Sequence, residues 1–213
     1  MFIASAVATI LAVVPTSFNG HRLWYDAEAP ADLKGWEERS LPIGCGHFGA
    51  SVFGRVTNEW VQVTHNAVMN YGEDSWMSGG LTDALDIRLR TDHQRFSDYA
   101  RGLDLETATA WVEYTCGGVR YRRDYIASYP SRTLAIHLTA SEKGKLAFEL
   151  EAVAPYLKPF GTLGKDGRLH GRRAEYAGGD DSLSVYQELE SYLVRFASEL
   201  KVVTDGTVAR QGG

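Results

Sequence analysis

Through much of the chain after residue 40, apolar and polar residues alternate with a period of two, the spacing of half-buried β-strands. In 85–90, Leu85, Ile87 and Leu89 share one face, with Asp86, Arg88 and Arg90 on the other. The stretch 107–116 repeats the pattern with Ala108, Ala110, Val112 and Tyr114 inward, and Gly117-Gly118 supplies a tight hairpin turn. Beyond the turn Val119, Tyr121, Tyr125, Ala127 and Tyr129 continue one face, while Arg120, Arg122, Asp124 and Ser128 take the other. Residues 134–138 and 146–150 form the next pair, joined across 141–144. Connections this short and regular predict an all-β fold, an antiparallel β-sandwich.

The densest signal lies at 41–64. Gly44, Gly46 and Gly49 free the backbone for unusual turns, Ala50, Val52 and Phe53 start a strand, Thr57-Asn58 turns the chain, and 60–63 returns it. The glycines spell Gly-x-Gly-x-x-Gly, but β-branched and aromatic residues follow them instead of a helix, which argues against a phosphate cradle.

Elsewhere the pattern is weaker. Residues 31–38 allow a turn or two of helix with Trp36 as buried anchor, 66–80 reads as a loop carrying Trp76, and 96–105 as a connector. Residues 155–181, with scattered glycines and charges, read as a surface excursion with a weak hairpin. The stretch 183–203 fits two periods. Tyr186, Leu189, Leu193, Phe196 and Leu200 make a helical stripe, and Tyr192, Val194, Phe196, Leu200 and Val202 make a strand. Asp205-Gly206 reads as a hairpin turn whose second strand is missing.

Composition narrows the function classes. The 213 residues include 11 Tyr and 5 Trp and carry a formal charge of −5, which gives no reason to expect nucleic acid or an anionic membrane as partner. Aromatic wealth without basic charge suits a carbohydrate-associated protein, although sandwich-core packing accounts for most of the rings. Cys45 and Cys116 allow one disulfide or none; two free, largely buried thiols are expected, with a bridge as the alternative. Neither their separation nor Cys45-x-His47 makes a zinc site, and no cofactor or metal is expected.

The apolar run 2–14 is too short to span a bilayer and resembles the core of a signal peptide, though no Lys or Arg precedes it. A secreted, periplasmic or extracellular protein is expected. The alternative is a cytoplasmic chain with an upstream-shifted start.

The carboxylates Glu37-Glu38, Glu73-Asp74, Asp180-Asp181 and Glu149 with Glu151 read as solvated pairs, and His137 as a surface histidine. No spacing defends a Ser-His-Asp or Cys-His arrangement.

Several motifs carry a resemblance. Leu23-Trp24-Tyr25-Asp26-Ala27-x-Ala29, then Leu41-Pro42-Ile43-Gly44 through Gly49-Ala50-x-Val52-Phe53-Gly54, resemble the opening signature of glycoside hydrolase family 95, the α-L-fucosidases. Tyr99-x-Arg101-x-Leu103-Asp104-Leu105 and Val119-x-Tyr121-x-Arg123, running on to Ser128-Tyr129-Pro130, follow in the same order as in that family. The sequence departs from the family at Cys45, where Asn is usual, and over 62–69, where His65-Asn66 stands in a run usually read Gln-Leu-Asn-Glu.

The resemblance covers roughly residues 23–206 and implies the family's N-terminal super-sandwich, of galactose-mutarotase-like type, with 183–203 a strand. It implies a division into a signal-like segment 1–20 and an incomplete sandwich 21–213, truncated at its C-terminal edge. The catalytic (α/α)₆ barrel, which in the family follows the sandwich and holds the acid and the water-activating groups, is absent, and no catalytic residue carries over. The implied activity of the full-length enzyme is inverting hydrolysis of terminal α-L-fucosyl or related α-L-galactosyl linkages. The sandwich would serve as scaffold, its partners being the barrel and a fucosylated glycan. Cys45, His47, His65, Asn66 and Trp76, on the glycine-rich turn and the loop after the hairpin, are the candidates to face the barrel rim. A stand-alone carbohydrate-binding or structural sandwich is the alternative.

Overall fold

The structure is a computed structural model that describes residues 2–6, 21–70, 80–155, 157, 162–163, 169–170, 172–189 and 194–210. Its elements are β1 (Phe2–Ala6), β2 (Arg22–Tyr25), α1 (Leu33–Arg39), β3 (Leu41–Gly44), β4 (Phe48–Val52), β5 (Asn58–Asn70) and β6 (Gly80–Arg90). They continue as β7 (Phe96–Asp104), β8 (Thr109–Cys116), β9 (Val119–Ser128), β10 (Thr133–Ala140) and β11 (Leu146–Val153). The last are β12 (Thr162–Leu163), β13 (Leu169–His170), β14 (Arg172–Gly178), β15 (Ser182–Leu189), β16 (Val194–Lys201) and β17 (Thr207–Arg210).

Two antiparallel sheets make the sandwich. The larger runs β17-β1-β11-β6-β5-β4-β3 and the smaller β10-β9-β8-β7-β2, with a three-stranded sheet β14-β15-β16 beside them. The alternation predicted from sequence decides which residues meet. Leu85, Ile87 and Leu89 from β6, Val52 and Val61 from the first hairpin, and Ala110, Val112, Tyr114 and Tyr125 from the smaller sheet pack into one buried core. The Gly117-Gly118 turn forms as expected, with both glycines at positive φ.

Several expectations need correction. Residues 96–105 are a strand: β7 pairs with both β2 and β8, and its inward Tyr99, Arg101 and Leu103 hid the alternation because a charge interrupts it. Ala108 lies in the turn before β8 with φ 52 and does not face the core. Tyr129 is 65% exposed. β5 runs on to Asn70, so His65 and Asn66 lie on a strand and not on a loop. Among its described residues the region 183–203 holds neither a helix nor one strand, since β15 and β16 pair antiparallel through it. Within 155–181, Arg172–Gly178 is a full strand paired with β15. The strand expected to be missing after Asp205-Gly206 is present as β17, which pairs with β1 instead of folding back on its own neighbour.

Helix α1 is short, and its ends are fixed locally. Asp32 caps it by accepting from the Gly35 N–H at 2.7 Å, and the Ser40 N–H donates to the Gly35 carbonyl. Gly35, not Trp36, is its buried residue: a Cβ there would meet the Pro30 carbonyl oxygen at 1.9 Å, whereas Trp36 is 41% exposed.

At the N-terminus, the stretch 2–6 of the signal-like segment is strand β1, seated between β11 and β17; residues 7–20 lie outside the described residues. Among the described residues no helix is long and apolar enough to cross a membrane.

Candidate functional site

Four of the sequence candidates come together. The turn carrying Cys45 and His47 links β3 to β4, and Phe48 pairs with His65 across β4 and β5. The Asn66 N–H donates to the His47 carbonyl at 3.0 Å, and the Asn66 side-chain amide donates to the Gly46 carbonyl at 3.3 Å. His65 Nδ1 accepts the Ala67 N–H at 3.0 Å, so one ring nitrogen is engaged by its own backbone. His47 stacks on Tyr129 at 5.2 Å and 18°, which ties this turn to the end of β9. Trp76 lies outside the described residues. No cluster of His, Cys, Asp and Glu suited to a metal occurs among the described residues, and Cys45 and Cys116 are both half-buried free thiols.

Beside this turn a cleft of about 880 Å³ opens between the sheets. Leu85, Ile87 and Phe148 of the larger sheet, Ile136 and Leu138 of β10, and Phe196 of β16 supply its apolar walls. Along its rim lie His65, Arg132 and the exposed His137, Arg195 and Lys201, with Glu199 the one acidic residue among those described.

A second polar site lies in the core, and reading the pattern by hydrophobic residues missed it. Glu59 on β5 and Arg123 on β9 point inward from opposite sheets and are 1% and 2% exposed. Glu59 Oε1 accepts the Gly54 and Trp60 N–H groups at 2.8 and 3.0 Å, and Oε2 accepts the Tyr125 hydroxyl at 2.8 Å and Arg123 Nη1 at 3.4 Å. Arg123 also donates to the Arg55 and Val56 carbonyls, both at 2.7 Å, and to the Tyr114 hydroxyl at 3.2 Å. His93 Nδ1 lies 2.8 Å from that same hydroxyl.

Burial pushes the Glu59 carboxyl upward from its ordinary range, against the pull of Arg123, Tyr125 and the backbone donors. Burial pulls Arg123 down, but Tyr125, Tyr114 and Glu59 outweigh it and hold the guanidinium charged. Arg101, the third inward charge, stacks on Tyr25 at 4.3 Å and donates to the Ala27 and Arg39 carbonyls at 2.8 and 2.7 Å. These buried charges therefore fasten the two sheets and the 26–40 segment together.

The other buried carboxylate with a raised pKa is Asp86, lifted by burial and restrained by Trp60 and Arg88. It pairs across the sheet with Gln62, one residue out of phase with the inward Val61 and Ile87, so it faces the opposite side from Glu59. No two of these buried acids converge on one space. The pairs read as solvated hold to that reading where described: Glu37, Glu38, Asp180 and Asp181 are exposed, and Glu151 bonds Arg90 at 2.9 Å. Glu73-Asp74 lies outside the described residues. His137 is exposed.

Two comparisons with known proteins bear on the chain. A family model described as glycosyl hydrolase family 65, N-terminal domain, matches residues 64–213. A protein named alpha-L-fucosidase 2 from Arabidopsis thaliana is 26% identical over 155 residues, covering 55% of this chain and 18% of that protein. The matched stretch thus spans less than a fifth of that relative's length.

Proposed function

The chain belongs to the family of glycosyl hydrolase family 65 N-terminal domains, and from that premise we propose that it is the scaffold sandwich of an α-L-fucosidase-like glycoside hydrolase. In this reading the chemistry belongs to a catalytic barrel that the sandwich borders, and the substrate is a terminal α-L-fucosyl or related α-L-galactosyl glycan. The observation that carries the scaffold role is the placement of the buried acids. Inverting hydrolysis needs an acid and a base about 6.5–9.5 Å apart across one sugar-sized space. Glu59 is committed to four donors inside the core, Asp86 faces the other side of its sheet, and Glu199 is the one carboxylate among the described residues along the cleft. The fucosidase assignment is supported by the Arabidopsis relative and by the ordered motifs between Leu23 and Pro130.

The turn carrying His47 together with His65 and Asn66 of β5, braced by Tyr129, is the face we assign to the barrel rim. Its backbone is fixed by the bonds among these residues while Tyr129 stays exposed. The 213-residue protein should give no turnover of a chromogenic α-L-fucoside, and the same sandwich joined to its barrel should give turnover. Hydrolysis by the sandwich alone would overturn the reading.

A stand-alone carbohydrate-binding module is favoured by one feature, the 60% exposed Trp24 on edge strand β2, since flat rings stack on sugars. Calorimetry with a fucosylated oligosaccharide separates the two. Binding lost in Trp24→Ala would support the module, and no heat would support the scaffold.

A further inference from the structure

The sheet edges of this molecule are unequally guarded. β3 carries Pro42, which has no N–H to offer a neighbour. β2 and β17 are four residues long, and β14 and β16 carry Arg173 and Glu175, or Arg195, Glu199 and Lys201. Short edges, proline and charge are the devices that keep a strand from recruiting another chain. β10 has none of them. Its sequence is Thr-Leu-Ala-Ile-His-Leu-Thr-Ala, its register with β9 is unbroken over eight pairs, and among the described strands it pairs with β9 alone. This unguarded edge also borders the apolar cleft, into whose lining Leu134, Ile136 and Leu138 contribute.

We infer that β10 receives an additional β-strand, which pairs along Thr133–Ala140 and roofs the cleft. That strand would present apolar side chains at alternate positions toward Leu85, Ile87 and Phe148 and polar ones outward, continuing the pleat of β10. An aliphatic amphiphile could fill the cleft but would leave the backbone donors and acceptors of β10 unpaired. A strand satisfies both the apolar wall and the edge. Arg132, just before β10, and His137 on its exposed face would lie beside the polar positions of the added strand and favour acidic residues there. We assign the strand to the same longer polypeptide, an assignment that rests on the scaffold reading above. The Arabidopsis relative has more than four-fifths of its length outside the match.

The test uses the 213-residue protein and a synthetic peptide of about nine residues, with Val or Leu at alternate positions and Thr or Glu between them. The peptide should slow amide exchange across Thr133–Ala140 at least about tenfold, and N-methylation of its pairing edge should abolish this. Ile136→Lys should also lose the effect while keeping the far-ultraviolet spectrum of the parent. The N-methylated peptide on the unaltered protein decides the matter if that variant misfolds.

The inference would be overturned by no protection from the peptide, by equal protection from the methylated one, or by decanoate displacing the peptide while giving β10 no exchange protection of its own. Protection of Thr133–Ala140 that rises with protein concentration alone would overturn it in favour of a second copy. In the barrel-bearing enzyme Thr133–Ala140 should be protected with no peptide added. Fucosidase activity with an unprotected β10 would sink the strand and leave the scaffold reading standing; a protected β10 without fucosidase activity would do the reverse.

Discussion

Arg123 lies between Tyr121 and Tyr125 on the inward face of β9, and Glu59 precedes Val61 and Val63 on the inward face of β5. Both positions could be read from the pleat, because a strict period of two sends residue 123 inward whatever its type. What the sequence does not tell is the partner, since the two lie 64 residues apart and meet only after the sheets stack. Removing one member strands the other. Arg123→Met should cost about 3–5 kcal/mol in urea unfolding, and Glu59→Gln less. The double variant should be more stable than the sum of the two losses predicts. A strictly additive result would show the pair to be uncoupled.

His93 sets a pH dependence at the same scale. Burial pulls its pKa below 6.5, with Asp92 opposing and Arg123 assisting, so the folded ring stays neutral where the unfolded one takes a proton. Its stabilising share is therefore full above about 6.5 and drains as the pH falls below that value. The urea midpoint of the parent should drop between pH 7 and 5, and that of His93→Gln should stay flatter over the same interval.

Among the elements, strands with clean alternation were legible, but 134–138 and 146–150, read as one pair, lie in different sheets as β10 and β11, and an inward charge can hide a strand. β7 is the clearest case: Arg101 sits between Tyr99 and Leu103 and makes a strand read as a connector. β15 and β16 were obscured differently, because two half-buried strands in succession mimic a helical stripe when their periods are overlaid.

β2 depends on one small residue of its neighbour. A Cβ at Gly102 would meet the Leu23 carbonyl oxygen at 2.4 Å and the Trp111 ring at 2.7 Å. Gly102→Ala should therefore speed exchange across Arg22–Tyr25 and cost about 1–3 kcal/mol. β1 offers a test of whether the apolar N-terminal run belongs to the fold. Removal of residues 1–20 should leave Thr207–Arg210 without its partner and exchanging fast, while the smaller sheet keeps its protection. Unchanged protection at Thr207–Arg210 would mean that β1 is dispensable.

For the whole molecule, the all-β architecture followed from alternation, and the ordered motifs pointed to a glycoside hydrolase N-terminal domain. The sandwich was expected, but which strands fall in which sheet and the cleft between them did not follow, because both depend on contacts between strands that no local period encodes. The result is a body fastened firmly on one side. Arg101, Arg123 and Glu59 bind both sheets and the 26–40 segment where β2 to β5 and β7 to β9 overlap. The other flank is joined more lightly: Leu183 and Val185 reach the main core, and a small cluster of Leu189, Val68 and Ala84 with Val194 and Phe196 lies beside them.

At that lighter flank the backbone oxygen of Ala84 accepts Gln187 Nε2 at 2.8 Å and Arg172 Nη1 at 3.4 Å, both buried. One carbonyl on β6 thus acts as the latch for the three-stranded sheet. Its vibrational frequency, isolated by a carbon-13 label, would register in solution whether that latch is shut.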